Sequence, residues 1–176
     1  MTPIGKTTVV LIAGARWHPN PEIATTALAR YVLNEAPGWV IVRHGACPGN
    51  QSIDQAVSEW IRDCGEALGV LEDPMPADWD SCGPGCPPYG IIGHRIFKRP
   101  GDVAHPGKLA TYCPQAGVRR NIAMTRKNPR ADRAIAAPYG QSFGTRNCIG
   151  LAHAASIPTT VLGDRSAPAV LMEALF

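Results

Sequence analysis

The sequence predicts an α/β fold: a Rossmann-like three-layer sandwich on a mainly parallel sheet, carrying a Cys/His-stapled loop insertion. Three observations lead there. Short β-branched runs alternate with amphipathic stretches of helical period. Several of those runs end in a glycine turn, at Gly14, at Gly45/Gly49 and at Gly140/Gly144. The alternation breaks only once, over residues 78–114, which are rich in Gly and Pro and hold Cys82, Cys86, His94, His105 and Cys113.

Thr7–Ala13 (TTVVLIA) is apolar without alternation, as expected of a strand covered on both faces, and it stops at Gly14. From Pro21 to Asn34, Ile23, Ala27, Leu28, Tyr31 and Val32 recur at helical spacing, with Pro21 suited to a first turn. Pro37-Gly38 ends that helix and Trp39–Val42 begins a second strand, closing on Arg43-His44-Gly45. Ile53, Val57, Trp60, Ile61, Cys64 and Leu68 mark one stripe of a second helix. Val70-Leu71 supplies a short third strand. Beyond the insertion, periodicity returns over Ala116–Lys127, followed by a strand at Ala131–Ala137, a helix at Asn147–Ala155, a strand at Thr159–Leu162 and a closing helix at Ala167–Leu175. A chain of 176 residues with no internal repeat is expected to form a single domain over residues 1–176.

Composition narrows the function classes. No apolar run approaches the ~20 residues of a membrane span, and the first residues lack the apolar stretch of a signal peptide. The expected location is the cytoplasm, with no membrane partner. There, six cysteines read as thiols or metal ligands rather than disulfides. Residues 94–130 hold nine of the 17 Lys/Arg and one acid, Asp102. Such a patch attracts phosphate, on a small molecule or on nucleic acid.

In open α/β sheets, ligands bind beyond the carboxyl ends of the strands. The loops placed there carry Gly14 and Arg16; His44, Gly45 and Gly49; and Gly140, Ser142, Gly144 and Thr145. Backbone N–H groups at a glycine turn and helix start point at an anion, hydroxyls donate to phosphate oxygens, and a guanidinium grips two oxygens at once. Asp54 accepts from a ribose hydroxyl or caps its own helix. Arg119, Arg120 and Asn121 open the helix after the insertion; adjacent arginines point about 100° apart, so one faces the site. Met124 reads as core.

These motifs resemble, over about Val9–Val161, the SLOG superfamily. They are Gly14-Ala15-Arg16, His44-Gly45-Ala46-Cys47-Pro48-Gly49 with Asp54, Ala77-Asp78-Trp79, Ala116 to Met124 and Gly140 to Thr145. The nearest branch is the small YspA/YpsA-related proteins of actinobacteria and their phages. The resemblance implies binding of a nucleotide or nucleotide-derived ligand, for sensing or sequestration. Relatives include the Lonely Guy phosphoribohydrolases, which cleave the N-glycosidic bond of nucleoside monophosphates, and DNA-processing protein A, which binds single-stranded DNA. The hydrolase pattern is Pro-Gly-Gly-x-Gly-Thr-x-x-Glu with Arg-Lys-x-x-Met. Arg120 and Met124 match its second part, with Asn121 in place of lysine. Pro138, Gly140, Gly144 and Thr145 fit the first loosely, and Cys148 stands where the glutamate belongs. A neutral thiol neither stabilises a sugar cation nor activates water. Binding is therefore expected ahead of hydrolysis, in which Arg120 and Asp54 are the candidate catalytic residues; single-stranded nucleic acid is the third reading. A homo-oligomer is expected, and no organic cofactor.

The insertion offers soft ligands. Cys82, Cys86, Cys113 and one histidine would surround a structural zinc, which contributes on the order of 10 kcal/mol to a loop with no other source of stability. His94, closer to the cysteine pair, is the expected fourth ligand and His105 the alternate. The Cys-Gly-Pro-x-Cys-Pro-Pro…Gly-His-Arg…Tyr-Cys-Pro pattern of related SLOG proteins supports the same choice.

Overall fold

The computed structural model describes residues 5–86 and 94–163. Its main sheet has five parallel strands in the order β3-β2-β1-β6-β7. These are β1 (Thr8–Gly14), β2 (Val40–His44), β3 (Val70–Pro74), β6 (Arg133–Ala137) and β7 (Thr159–Val161). Four helices link and cover them: α1 (Glu22–Asn34), α2 (Ile53–Trp60), α3 (Ala116–Arg126) and α4 (Phe143–Ala154). The helix expected at Ala167–Leu175 lies outside the described residues.

The unbroken apolar run of β1 has a direct reason. Val10 and Ile12 pack with Leu28 and Tyr31 of α1 and Ile53 and Val57 of α2 on one face. Val9, Leu11 and Ala13 pack with Met124 of α3 and Cys148 and Ala152 of α4 on the other. Both faces of the strand are covered, so neither parity carries polar residues. Each fully buried Leu or Ile contributes about 1.5–3 kcal/mol.

The expected stripe on the second helix holds only in part. α2 ends at Trp60 and passes into a π-helical turn over Ile61–Gly65. The wider turn shifts the phase of the side chains. Ile61 stays buried, whereas Cys64 and Leu68 emerge into solvent. The helix expected from Asn147 begins at Phe143, so Gly144 and Thr145 belong to its first turn rather than to a loop.

Arg43 is almost fully buried, at 1% exposure. Its guanidinium donates to Asp73 Oδ2 (2.8 Å) and to the carbonyls of Met124 (3.2 Å), Lys127 (3.0 Å) and Pro129 (3.2 Å). The end of β2 is thereby tied to β3 and to the end of α3.

The described residues between 78 and 114 are less irregular than their composition suggests. β4 (Ile96–Phe97) and β5 (Thr111–Tyr112) form an antiparallel ribbon. Arg95 braces it by donating to Thr111 Oγ1 (2.9 Å) and to the carbonyls of Asp80 (2.9 Å) and Thr111 (2.9 Å). Asp80 accepts the N–H groups of Lys108 (2.6 Å) and Leu109 (3.2 Å). Those donors hold its carboxyl below the usual aspartate value. Among the described residues, no helix is long and apolar enough to cross a membrane.

Candidate functional site: a switch-point cavity beside a Cys/His cluster

The strand order reverses between β1 and β6, since β2 and β3 extend the sheet one way and β7 the other. The connections leaving β1 and β6 therefore diverge to opposite faces and leave a crevice at their carboxyl ends. A cavity of about 520 Å³ occupies it. Of the residues singled out in the sequence, Gly14, Arg16, Gly45, Asp54, Arg120, Asn121, Ser142, Gly144 and Thr145 line it.

Their roles differ from one another. Arg16 donates from Nε to Cys47 Sγ (3.1 Å), leaving the two terminal nitrogens without a protein partner among the described residues. Asp54 is buried in the first turn of α2 and accepts Cys47 N–H at Oδ2 (3.0 Å). Its other oxygen has no protein partner among the described residues. Arg120 donates to the carbonyl of Gly45, to that of Met75 (3.4 Å), and from Nε to Asn121 Oδ1 (2.9 Å). Asn121 passes this on, donating to Gly144 O (3.0 Å) and Asn147 Oδ1 (3.0 Å). Both amide hydrogens are thus spent aiming α4 at the crevice. Ser142 is also committed, because its hydroxyl donates to Tyr139 O (2.6 Å) and accepts Tyr139 N–H (3.0 Å). Thr145 is buried in the first turn of α4 and lines the cavity. The first N–H groups of α4 have no carbonyl ahead of them in the helix and open at the cavity wall.

Two glycines sit here for packing reasons. A Cβ on Gly14 would overlap Ile53, which crosses the end of β1, and one on Gly45 would fall on Arg120 Nη1.

Four expectations are corrected. His44 is fully buried and faces away from the cavity: its Nδ1 accepts Ala46 N–H (3.1 Å) and its Nε2 meets Glu72 Oε1 (2.8 Å). Gly49 and Gly140 are not cavity residues; each turns the chain at positive φ, 123° and 57°. Arg119 points to the cysteines instead, because its neighbour Arg120 takes the cavity side of α3.

The sequence reading missed Trp17, Tyr139, Phe143 and His105, all of which line the cavity. Trp17 (59% exposed) and Phe143 (76%) hold their rings largely in water. A detectable signal existed for both, since each adjoins a residue already assigned to the cavity. His105 had none, because the ribbon geometry alone brings it there.

Cys148, on the cavity floor, is buried, and burial pushes its thiol up to about 11, with Arg120 opposing and Asp54 reinforcing the shift. It is a neutral packing group at physiological pH.

Beside the cavity, the ligand atoms of Cys82, Cys86, His94 and Cys113 all lie within 4.8 Å of one another. Cys86 and Cys113 sulfurs are 3.6 Å apart, and His94 Nε2 is 3.4 Å from Cys113 Sγ. The edges of a tetrahedron with zinc-like bond lengths are about 3.7 Å between sulfurs and about 3.5 Å between sulfur and nitrogen. The cluster therefore fits a metal such as zinc. His105 is not part of it: its Nδ1 is bound to Asp102 Oδ2 (2.8 Å). Burial raises the Cys113 thiol, but Arg119, the Gln115 N–H, Cys86 and His94 outweigh that and bring it to about 6. Burial and its sulfur neighbours raise Cys82, against the pull of Arg95. Arg119 donates to both Cys86 Sγ (3.2 Å) and Cys113 Sγ (3.4 Å). A divalent metal held by three thiolates and a neutral imidazole would carry one net negative charge, which this guanidinium is placed to offset.

No protein-family model matches the chain, and no solved structure matches it significantly. A human protein described as uncharacterized is 28% identical over 107 residues, 58% of this chain and 76% of that one. Gene 61 protein of Mycobacterium phage D29 is 30% identical over 156 residues, spanning 89% of this chain and 97% of the phage protein. Identity at this level over nearly the whole of both chains places this chain in the same family as the phage D29 Gene 61 protein.

Proposed function

We propose that the protein binds a nucleotide or nucleotide-derived ligand in the switch-point cavity, in the manner of a SLOG-type sensor or sequestering module. The observation that carries this reading is the set of donors and rings that line one cavity. The α4 N-terminus, Thr145 and the terminal nitrogens of Arg16 are donors suited to phosphate. The exposed rings of Trp17 and Phe143 line the same cavity and are surfaces on which a planar base stacks. A volume of about 520 Å³ lies within the range of small-ligand sites.

The test is thermal stabilisation by AMP and GMP, with adenosine and guanosine as phosphate-free controls. A ligand at 100 times its Kd adds about 2.7 kcal/mol to the folded state. Arg16→Ala should weaken the nucleotide response while leaving the unliganded melting temperature nearly unchanged. An equal response to nucleosides and nucleotides would refute the phosphate contacts.

A hydrolytic reading has one observation in its favour, the Asp54 carboxylate oxygen left open to the cavity. Release of free base from either nucleotide, lost in Asp54→Asn, would select it.

The Cys82, Cys86, His94 and Cys113 set belongs to the same proposal as a structural zinc centre. Zinc there would cross-link the two ends of the insertion and supply no chemistry to the ligand. Native mass spectrometry should show one zinc per chain, lost in Cys113→Ser, and a homo-oligomeric mass. Metal-free protein of unchanged stability would remove the centre from the proposal.

A further inference from the structure

The insertion brings a carboxylate-oriented imidazole to the cavity. Asp102 accepts the N–H groups of Ala104 (2.8 Å) and His105 (3.1 Å) at Oδ1 and binds His105 Nδ1 at Oδ2 (2.8 Å). The imidazole lies flat on Tyr112, with centroids 3.7 Å apart and planes inclined by 6°. Trp79 meets it edge-on at 4.6 Å. One ring nitrogen is tied to a carboxylate and the ring is held between two aromatic side chains. The remaining atom, Nε2, has no protein partner among the described residues, and His105 is a wall of the cavity.

A histidine needed only for packing would not require a carboxylate to orient it. Asp102 fixes the proton on Nδ1 and stabilises the ring once Nε2 is also protonated. The hydrogen bond to His105, with the two backbone N–H groups, holds the Asp102 carboxyl below its ordinary range, so it stays ionised beside the ring.

We propose that His105 is a ligand contact: its Asp102-oriented imidazolium donates Nε2–H to the anionic group of a phosphorylated ligand, from the part of the cavity wall that the insertion supplies. This rests on the phosphate reading of the cavity. Its direct neighbours Tyr112 and Trp79 are uncharged, and the other charged groups of the cavity are Arg16, Asp54 and Arg120. Asp102 and a bound anion favour the proton; the two arginines oppose it. A charged Nε2–H donor makes affinity decline as pH rises. A neutral Nε2 accepting a ribose hydroxyl would give the opposite slope.

Calorimetric titration with the 5′-O-methyl phosphodiesters of AMP and GMP tests this, because their charge does not change between about pH 5.5 and 8.5. The expected result is an affinity about tenfold higher at the acid end, with proton uptake seen as a buffer-dependent heat. His105→Gln should be flat at the high-pH value. His105→Phe, which keeps the stack on Tyr112, should be equally flat. Asp102→Asn should move the slope to lower pH. Binding that is flat or tightens with pH in the unaltered protein overturns the role of His105 and leaves the phosphate reading standing. Absence of binding by either nucleotide and either diester at all pH values removes both.

Discussion

Replacing Arg43 with methionine tests how the carboxyl end of β2 is held. Methionine keeps most of the apolar stem, so the loss is polar. Asp73 loses its 2.8 Å partner, and the carbonyls of Met124, Lys127 and Pro129 lose theirs. At 1% exposure the position admits little water to replace those bonds. Breaking one side of a buried pair costs about 3–5 kcal/mol. Asp73 retains Lys127, which favours the lower half of that range. For a chain of this size each kcal/mol lowers Tm by about 2–4 °C, so the melting temperature should fall by about 6–16 °C. In urea the midpoint should drop with the m-value unchanged. Arg43→Lys should fall between, since it restores charge without the fork. A loss under about 1 kcal/mol, the value of an exposed ion pair, would refute the account of a buried anchor.

Two glycine substitutions separate packing from anion approach. Gly45→Ala should displace Arg120, lower Tm by about 2–4 °C and change the nucleotide response. Gly144→Ala, whose Cβ meets nothing within 4 Å, should be neutral or stabilising by about 0.5–1 kcal/mol. The reverse order of melting temperatures would contradict this packing. Acid should destabilise the protein through specific aspartates. Burial pushes Asp73 up, but Lys127 and Arg43 pull it below 3.8; Asp132, likewise raised by burial, is lowered by the Val9 N–H and Lys6. A depressed folded value stabilises above the unfolded one, so this contribution is complete above about pH 5 and is lost as pH falls below about 3.8. Asp73→Asn should reduce the steepness of that acid limb in pH-dependent urea melts; an unchanged limb would exclude Asp73 as a source.

The sheet was legible in the sequence because a strand packed on both faces writes an unbroken apolar run, as in TTVVLIA. The crevice followed from the glycine turns, but the reason for the glycines did not. Gly14 and Gly45 make room for Ile53 and Arg120, contacts between distant segments that no local pattern encodes. The π-helical turn after Trp60 was equally hidden, since Cys64 and Leu68 keep the spacing of a regular helix. The four clustered ligands could be named because cysteine and histidine in a Gly/Pro-rich segment have few other uses. Which arginine of the adjacent pair met which site depended on the rotation of α3, a tertiary property. The place of His105 depended on the ribbon, whose two-residue strands are too short to announce themselves.

Arg119 and Arg120 are consecutive residues of α3, one on the sulfurs of Cys86 and Cys113 and one on the backbone of the cavity floor. A rotation of that turn cannot move one without the other. Loss of the sulfur contacts would free Arg119 in the very turn that carries Arg120 to the cavity. The thiol cluster and the crevice are therefore joined through a single turn of backbone, and a disturbance of either should be read at the other.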